Sequence, residues 1–261
     1  MIEIQKIASA ELKSKLNKDY IEALQTPIDG YWQNAVVGNS DCYEIRYDDK
    51  IVGHFFLKEP KTIVQFYISP KYSLHAQEIF SYIITSDIAE KAAVSTKEPD
   101  FMAICFDYQK SMSVNSYLFV DNEKIKYELD NFEDVSFRLA TESDVDTLKS
   151  QGGGAPEGYY EDLIGNNQLF LACAGDCLLG RGEFRIISTH GEKYVDMGVQ
   201  VVEAYRGKGV ATYIITQLKE LCYSRQLIPM LGCDVSNIAS KKAIENAGFI
   251  ANHRILYIDF N

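Results

Sequence analysis

The amino-acid sequence predicts a mixed α/β (α+β) fold that is built twice, in two tandem units. Short apolar stretches with the period of a strand alternate with amphipathic helical patterns along the chain. With 261 residues the chain is long enough for two compact units of about 130 residues each. The two halves also share a weak order of elements. We therefore predict a first unit over 1–130 and a second over 131–261.

The second half carries the clearer patterns. Val135, Phe137 and Leu139 alternate with polar residues as in a half-buried strand. Thr141, with Asp144 three positions later, is typical of a helix start. Periodicity and turn residues then predict a short helix near 160–164, strands at 169–174, 178–187 and 194–202, a helix over 210–221, a strand at 230–235, a helix ending at 248 and a last strand at 253–260.

The first half repeats this order weakly. Its patterns predict a hairpin over 42–59, a strand at 62–70, a helix over 73–92 and a strand at 100–108. The segment 81–85 matches 212–216, and 102–105 matches 230–233, at offsets of 131 and 128 residues. Because both matches fall at equivalent points of the predicted order, they favour a duplicated fold.

The segment 206–209, Arg-Gly-Lys-Gly, connects a predicted strand to a predicted helix. The first turn of a helix has backbone N–H groups without intrahelical partners, and with the helix dipole they form an anion site. Gly207 and Gly209 leave those amides open to a phosphate, while Arg206 and Lys208 add positive charge. The segment predicts a diphosphate site. The corresponding segment of the first half lacks glycine and is not expected to bind one.

This segment and its surroundings resemble the GNAT N-acetyltransferases. The signature of that family, [Q/R]xxGx[G/A] at a helix start after a strand, is matched by Arg206, Gly209 and Ala211. The resemblance covers about 134–261 and also rests on these elements: the opening strand and helix at 137–148, Asn237 with Ser240, Glu245, and Gly248-Phe249. Two-part chains of this length with a degenerate first half resemble the zwittermicin-resistance type of the family.

The resemblance implies a fold and a cofactor. Each unit would have a curved, mostly antiparallel mixed sheet with splayed central strands and flanking helices, and acetyl-CoA would lie in the gap of the second unit. The amides of 207–211 would hold the pyrophosphate, and the main chain of 199–201 would pair with pantetheine like an added strand. The alternative for Asn237 is that it caps the following helix. The implied cofactor-binding residues are Val199, Val201, Arg206, Gly207, Lys208, Gly209, Val210, Ala211, Asn237 and Ser240.

The family's reaction is direct transfer of an acetyl group from the thioester to an amine, here a primary amine of a small molecule or a peptide. Because an alkylamine is protonated near pH 7, a carboxylate or a water chain has to take up a proton. Asp196, a charge within an apolar strand, is the first candidate, with Glu203 and Glu183 in reserve. The alternative for Asp196 is a solvent-facing position on a half-exposed strand. A backbone N–H near Val201 would stabilise the oxyanion.

The acid that protonates the leaving thiolate is less defined. Many family members have a tyrosine where this chain has Ile244. Tyr205, Tyr257 or solvent can substitute, or CoA leaves as the thiolate. The family's usual proline after the strand is replaced by Glu203.

The acceptor is expected to lie near a glycine loop. The loop 152–154, followed by Tyr159 and Tyr160, corresponds to the region that shapes acceptor specificity in the family. The alternative is an irregular connector. With Glu183, the two tyrosines are the predicted substrate-binding residues.

Composition limits the remaining function classes. The formal net charge of −11 disfavours a nucleic-acid backbone binder and is compatible with a cationic amine. The six cysteines lack the matched pairs of a zinc site, so no metal is predicted. With no apolar run that predicts a signal peptide or a membrane span, a cytoplasmic protein is expected. The alternative function is a catalytically inactive CoA-binding or regulatory protein, and the first half is a candidate for homodimerisation or for recruiting a protein partner.

Overall fold

The computed structural model describes residues 1–122, 132, 134–151 and 155–260, and these form two compact units. The first unit comprises Met1–Leu118 and His253–Asn261, and the second comprises Phe119–Asn252. The division falls twelve residues before the predicted boundary, and the last nine residues, predicted for the second unit, belong to the first. No described helix has the length and apolar character needed to span a bilayer.

The chain forms twelve strands and seven α-helices among its described residues. In chain order the strands are β1 (Ile2–Lys6), β2 (Asp41–Tyr47), β3 (Lys50–Lys58), β4 (Thr62–Ile68), β5 (Lys91–Ser95), β6 (Ser111–Asp121), β7 (Val135–Leu139), β8 (Leu169–Ala174), β9 (Cys177–Ile186), β10 (Tyr194–Val201), β11 (Ile228–Asp234) and β12 (Phe249–Asp259). The helices are α1 (Ala10–Ala23), α2 (Ala76–Thr85), α3 (Pro99–Tyr108), α4 (Val145–Gln151), α5 (Tyr159–Gly165), α6 (Val210–Ser224) and α7 (Ile238–Asn246).

The first unit is a mixed sheet in the order β1-β2-β3-β4-β5-β12. Its neighbours are antiparallel except β4 and β5, which run parallel and pair only at Thr62–Ile63. Beyond Ile63 these two central strands diverge. The predicted hairpin and the predicted strand at 62–70 are confirmed as β2, β3 and β4.

From His253 onward the last strand belongs to the first unit, because the apolar side chains of this part are buried there. Ile258 is fully buried and lies in one core cluster with Phe80 of α2 and Phe101 of α3, while Ile255 lies in a second cluster with Trp32. Burying these side chains removes apolar area from water, which stabilises the first unit.

Two predictions for the first half are wrong. The segment 100–108, predicted as a strand, lies in helix α3, and the predicted helix over 73–92 is a 3-10 turn at Pro70–His75, then α2, then strand β5. The buried residues of α3 are Phe101, Ile104 and Cys105, which is helical spacing, and Pro99 stands at its first turn. The match between 102–105 and 230–233 therefore joins a helix to a strand.

The second unit is a mixed sheet in the order β11-β10-β9-β8-β7. Its neighbours are antiparallel except β10 and β11, which run parallel and pair only over Tyr194–Asp196. The splayed central strands are thus confirmed in both units. Helix α6 packs closely on β9, since a Cβ on Gly182 would lie only 2.8 Å from Ile214 and 2.9 Å from Leu218.

The elements predicted for the second half are confirmed. Thr141 and Asp144 form a capping box ahead of α4. The last strand begins at Phe249, four residues before its predicted start. The segments 81–85 and 212–216 lie in α2 and α6, the helices that follow the diverging strands β4 and β10.

Candidate functional site

The glycine turn that leads from β10 into α6 exposes backbone amides. Gly207 and Gly209 have positive φ angles of 74° and 86°, which side chains disfavour, and a Cβ on Gly207 would point into open space. Helix α6 begins at Val210 without a side-chain cap, and its first intrahelical bond runs from the Tyr213 amide to the Gly209 carbonyl at 3.0 Å. The amides of 210–212 therefore point toward the turn without intrahelical partners.

Two cations flank this turn. Arg206 is exposed, and its Nε donates to the Val201 carbonyl at 3.4 Å. Lys208 is exposed, with Nζ 5.3 Å from the centre of the Tyr205 ring. Open amides, a helix N-terminus and exposed cations together fit a phosphate linkage.

A free strand edge lies beside the turn. From Met197 onward β10 pairs with β9 alone among the described residues, because β11 has diverged after Asp196. The edge of 197–201 thus leaves main-chain groups for an added strand-like partner.

The pairing of β9 with β10 decides which side chains share a face. Gly180 and Gly182 of β9 face α6, so the alternate residues of β9 face the other side. The cross-strand pairs on that other side are Arg181–Gln200, Glu183–Gly198 and Arg185–Asp196. We call the five side chains of these pairs, leaving out Gly198, the polar stripe.

Arg185 joins the carboxylates of the polar stripe. Its Nη2 donates to Asp196 Oδ2 at 3.0 Å, and its Nη1 donates to Glu183 Oε2 and to the Tyr159 hydroxyl at 3.2 Å. The Tyr159 hydroxyl donates to Glu183 Oε2 at 2.8 Å. Asp196 is 4% exposed and Glu183 is 12% exposed at the side chain, so Asp196 does not face solvent.

The surroundings fix the protonation of two members of this network. Burial opposes the charge of Arg185, but the Asp196 and Glu183 carboxylates outweigh it and raise the pKa of Arg185. Burial, followed by the Glu183 charge, raises the pKa of Tyr159 to about 12, so its hydroxyl remains a donor at neutral pH.

A small cleft opens at the Arg181 end of the polar stripe. It is lined by Leu148, Gln151, Leu178, Gly180, Arg181, Gln200 and Val202. The Arg181 guanidinium lies 4.7 Å from the centre of the Tyr160 ring, and its Nε approaches Glu183 Oε1 only to 3.9 Å. That buried Nε has no hydrogen-bond partner among the described residues.

The remaining predicted residues lie outside the polar stripe. Glu203 is exposed and Tyr205 half-buried on the 3-10 turn Glu203–Tyr205. Asn237 caps α7, since its side chain accepts from the Ser240 amide at 3.0 Å, as the capping alternative expected. Ile244 is buried in α7, and the loop 152–154 lies outside the described residues. No group of three or more histidine, cysteine, aspartate or glutamate side chains within the described ranges is arranged to hold a metal ion.

The corresponding strand pair of the first unit, β3 and β4, has different side chains. Its cross-strand pairs include Phe56–Gln65 and His54–Tyr67. Burial lowers the pKa of His54 to about 4, so it is neutral near pH 7. Helix α2 is entered through the 3-10 turn Pro70–His75, which has no glycine.

Sequence reasoning missed the two arginines of the polar stripe. The available signal was the segment Gly180 to Arg185, in which charged residues stand at every second position of a strand. Such alternation predicts one polar face, and only the pairing with β10 shows that this face is partly buried and contains Asp196.

Comparison with known proteins gives consistent matches to both units. The model of the acetyltransferase (GNAT) domain matches residues 9–122, and the model of the acetyltransferase (GNAT) family matches residues 138–249. An acetyltransferase of the GNAT family from Colwellia psychrerythraea is 28% identical, with 99% of this chain and 100% of that chain covered and a TM-score of 0.89.

Two more distant structures share the fold. The tandem GNAT protein from the clavulanic acid biosynthesis pathway is 12% identical over 98% of this chain and 97% of its own, with a TM-score of 0.58. A GCN5-related N-acetyltransferase from Sphaerobacter thermophilus is 10% identical over 98% and 94%, with a TM-score of 0.56. The comparison with curated proteins found no match.

Proposed function

This chain belongs to the GNAT acetyltransferase family, and from this membership we infer that its second unit transfers an acetyl group from acetyl-CoA to a primary amine of a small molecule. The observation that carries the proposal is the buried carboxylate Glu183, which lies on the polar stripe beside the free edge of β10. A carboxylate near a cofactor groove is the group that a protonated amine needs.

The residues present fit the cofactor. The amides of 210–212, the glycine turn and the charges of Arg206 and Lys208 would hold a pyrophosphate, and the free edge of 197–201 would hold an extended amide chain. When bound, acetyl-CoA would supply the acetyl group as a thioester, so that the amine nitrogen would gain the acetyl carbon as the C–S bond broke and the proton released by the nitrogen would end on the CoA sulfur.

Glu183 is better suited than Asp196 to receive the proton of the incoming amine. It is the more exposed of the two carboxylates, and its neighbour Arg181 lines the cleft. Asp196 lies further from the cleft along β10, and its side chain is only 4% exposed. We assign Glu183 as the proton acceptor and Asp196 as a positioning residue that acts through Arg185.

Tyr159 and Arg185 hold Glu183 in place. Both donate to its Oε2, and Gly198 directly across the strands leaves room for that carboxylate, since a Cβ there would lie 3.0 Å from it. Fixing the carboxylate in one rotamer lowers the entropy lost when the amine meets it. Ile244 supplies no acid from α7, so a role for Tyr205 at the leaving thiolate stays a prediction.

The test is the release of CoA thiol from acetyl-CoA with a panel of primary amines. We expect Glu183→Gln to lower kcat by roughly 100-fold or more, because general-base catalysis contributes about that much. Glu220→Gln, on the exposed side of α6, is the control and should keep the wild-type rate. Calorimetry with CoA should give the same Kd for both variants.

Two outcomes would oppose this assignment. Full activity of Glu183→Gln would remove Glu183 from the reaction. Binding of CoA without thiol release for any amine would instead favour the CoA-binding regulatory protein.

A further inference from the structure

We propose that the acceptor amine also carries a carboxylate, which Arg181 binds, so that the substrate is a short amino acid or a similar amino-carboxylate. This inference rests on the proposed function and names the acceptor class of the same site. Arg181 is 12% exposed at the side chain and lines the cleft beside Glu183. Its Nε forms no hydrogen bond with any of the described residues.

Arg181 has a hydrogen-bond donor that no described residue uses. The Nε of Arg181 is buried and has no hydrogen-bond partner among the described residues. An unpaired buried donor on a charged group is costly, so such groups are normally satisfied. A ligand that supplies an anionic oxygen in the cleft would satisfy it.

The two arginines of the polar stripe differ in how they contact its carboxylates. Arg185 contacts Glu183 and Asp196 directly, so these three charges are bound to one another. Arg181 reaches a carboxylate only at 3.9 Å, beyond hydrogen-bond distance. The stripe therefore has one cation with open donors, and a carboxylate is the planar partner that a guanidinium binds through two bonds.

The Arg181 guanidinium is held by an aromatic ring. The Arg181 Cζ lies 4.7 Å from the centre of the Tyr160 ring, and this cation–π contact does not use the N–H donors of the guanidinium. Arg181 and Glu183 are two residues apart on the same strand face, so their head groups suit the carboxylate and the amine of one small molecule.

The lining of the cleft also limits the polarity of the substrate. Its walls combine the apolar side chains of Leu148, Leu178 and Val202 with the amides of Gln151 and Gln200. A short, mainly apolar side chain fits this lining. The acidic composition favoured a cationic acceptor, whereas the local contacts at Arg181 favour a zwitterion.

The experiment compares matched amines in the thiol-release assay with the full chain. Alanine, leucine, methionine and phenylalanine are each measured beside their amides and their decarboxylated amines. We expect kcat/KM to be roughly 30-fold higher or more for at least one free amino acid than for its two analogues, as a charged hydrogen-bonded pair implies. The carboxylate takes no part in bond making, so the difference should appear mainly in KM.

Variants then assign the preference to one residue. Arg181→Met should lower kcat/KM for the free amino acid far more than for the decarboxylated amine, so that the preference for the carboxylate is lost. Arg181→Lys, which keeps the charge but not the planar fork, should retain part of the preference. Arg225→Met is the control, because Arg225 also stacks on a ring, at 5.1 Å from Phe184, but is exposed and does not line the cleft.

The outcomes separate this inference from the proposed function. Equal or better acetylation of amines without a carboxylate would overturn the inference and leave acetyl transfer intact. The inference would also be overturned, with acetyl transfer intact, if Arg181→Lys and Arg181→Met both kept the full preference for the carboxylate. Circular dichroism would establish that Arg181→Lys is folded. Absence of thiol release for every amine, with CoA still bound, would overturn both.

Discussion

At the scale of single residues, the second unit depends on charges that are buried but bound to one another. Arg185 contacts Asp196 and Glu183, and Tyr159 completes the network. Removing one partner of a buried pair leaves an uncompensated charge, which is strongly destabilising. The network therefore ties the geometry of the candidate site to the stability of β9 and β10.

A second buried acid belongs to the first unit. Glu98 accepts from the Tyr20 hydroxyl at 2.7 Å and from the Ser95 amide at 2.8 Å, and it is 1% exposed. Burial raises its pKa from 4.5 to about 7, although both hydrogen bonds lower it. Because the folded chain holds this proton more tightly than the unfolded chain, the stabilisation is complete below pH 4.5 and is lost as pH rises toward 7.

Replacing Glu98 with Gln should remove this pH dependence. Between pH 5 and pH 8 we expect the free energy of unfolding of Glu98→Gln to rise relative to wild type, by up to about 3 kcal/mol. Urea denaturation at several pH values measures the difference. Glu11→Gln, on the exposed first turn of α1, is the control and should follow the wild-type curve. A constant offset between Glu98→Gln and wild type at every pH would contradict the prediction.

At the scale of elements, the sequence predicted the structure correctly wherever its pattern was compatible with only one type of element. The capping box before α4, the glycine turn before α6 and the alternating strands of the second unit formed as predicted. Segment 100–108 shows the limit, because a short apolar run is compatible with either a strand or a helix. In α3 the proline at the first turn and the contacts of Phe101 with the sheet core decided for the helix.

The glycine turn gives a prediction about the cofactor. A side chain on Gly209, where φ is 86°, would strain the backbone and crowd the amides of α6. We expect Gly209→Val to raise the Kd for CoA by about tenfold or more. Calorimetric titration measures it. Gly175→Val is the matched control, because Gly175 also has a positive φ, 55°, in the turn between β8 and β9.

The control separates strain from binding. Both valines carry a similar backbone cost, so both lower stability. Only the variant at the glycine turn should lose affinity. Equal Kd values for the two variants would mean that the amides of α6 do not hold the cofactor.

At the scale of the whole molecule, the first unit combines two segments that are far apart in the sequence. The chain enters the second unit within β6 and returns to the first within β12. The first unit therefore becomes complete only when β12 has been made. Long sequence separation between contacting strands is the feature that slows folding.

This arrangement predicts which mutations in β12 lower the free energy of unfolding. Ile258 is fully buried in the first unit, whereas Ile250 on the same strand is 43% exposed in the second. We expect Ile258→Ala to lower the free energy of unfolding by about 2–4 kcal/mol, through lost burial and a cavity. Ile250→Ala should change it by less than about 0.5 kcal/mol. Chemical denaturation measures both.

CoA binding shows which unit is affected. Because the glycine turn and β10 belong to the second unit, Ile258→Ala should keep the wild-type Kd for CoA under native conditions. Equal stability of the two alanine variants would contradict the assignment of the last strand to the first unit.

The sequence by itself determined the duplicated α/β order, the glycine turn and its family signature, because these depend on local spacing and on backbone conformations that few residues adopt. It also singled out Asp196, Glu183 and Tyr159. Only the tertiary structure brought those side chains together through Arg185, and only it left Arg181 with an open donor, because strand register and burial arise from contacts between distant segments. The tertiary structure likewise assigned the end of the last strand to the first unit, because the apolar side chains there are buried in the core of that unit.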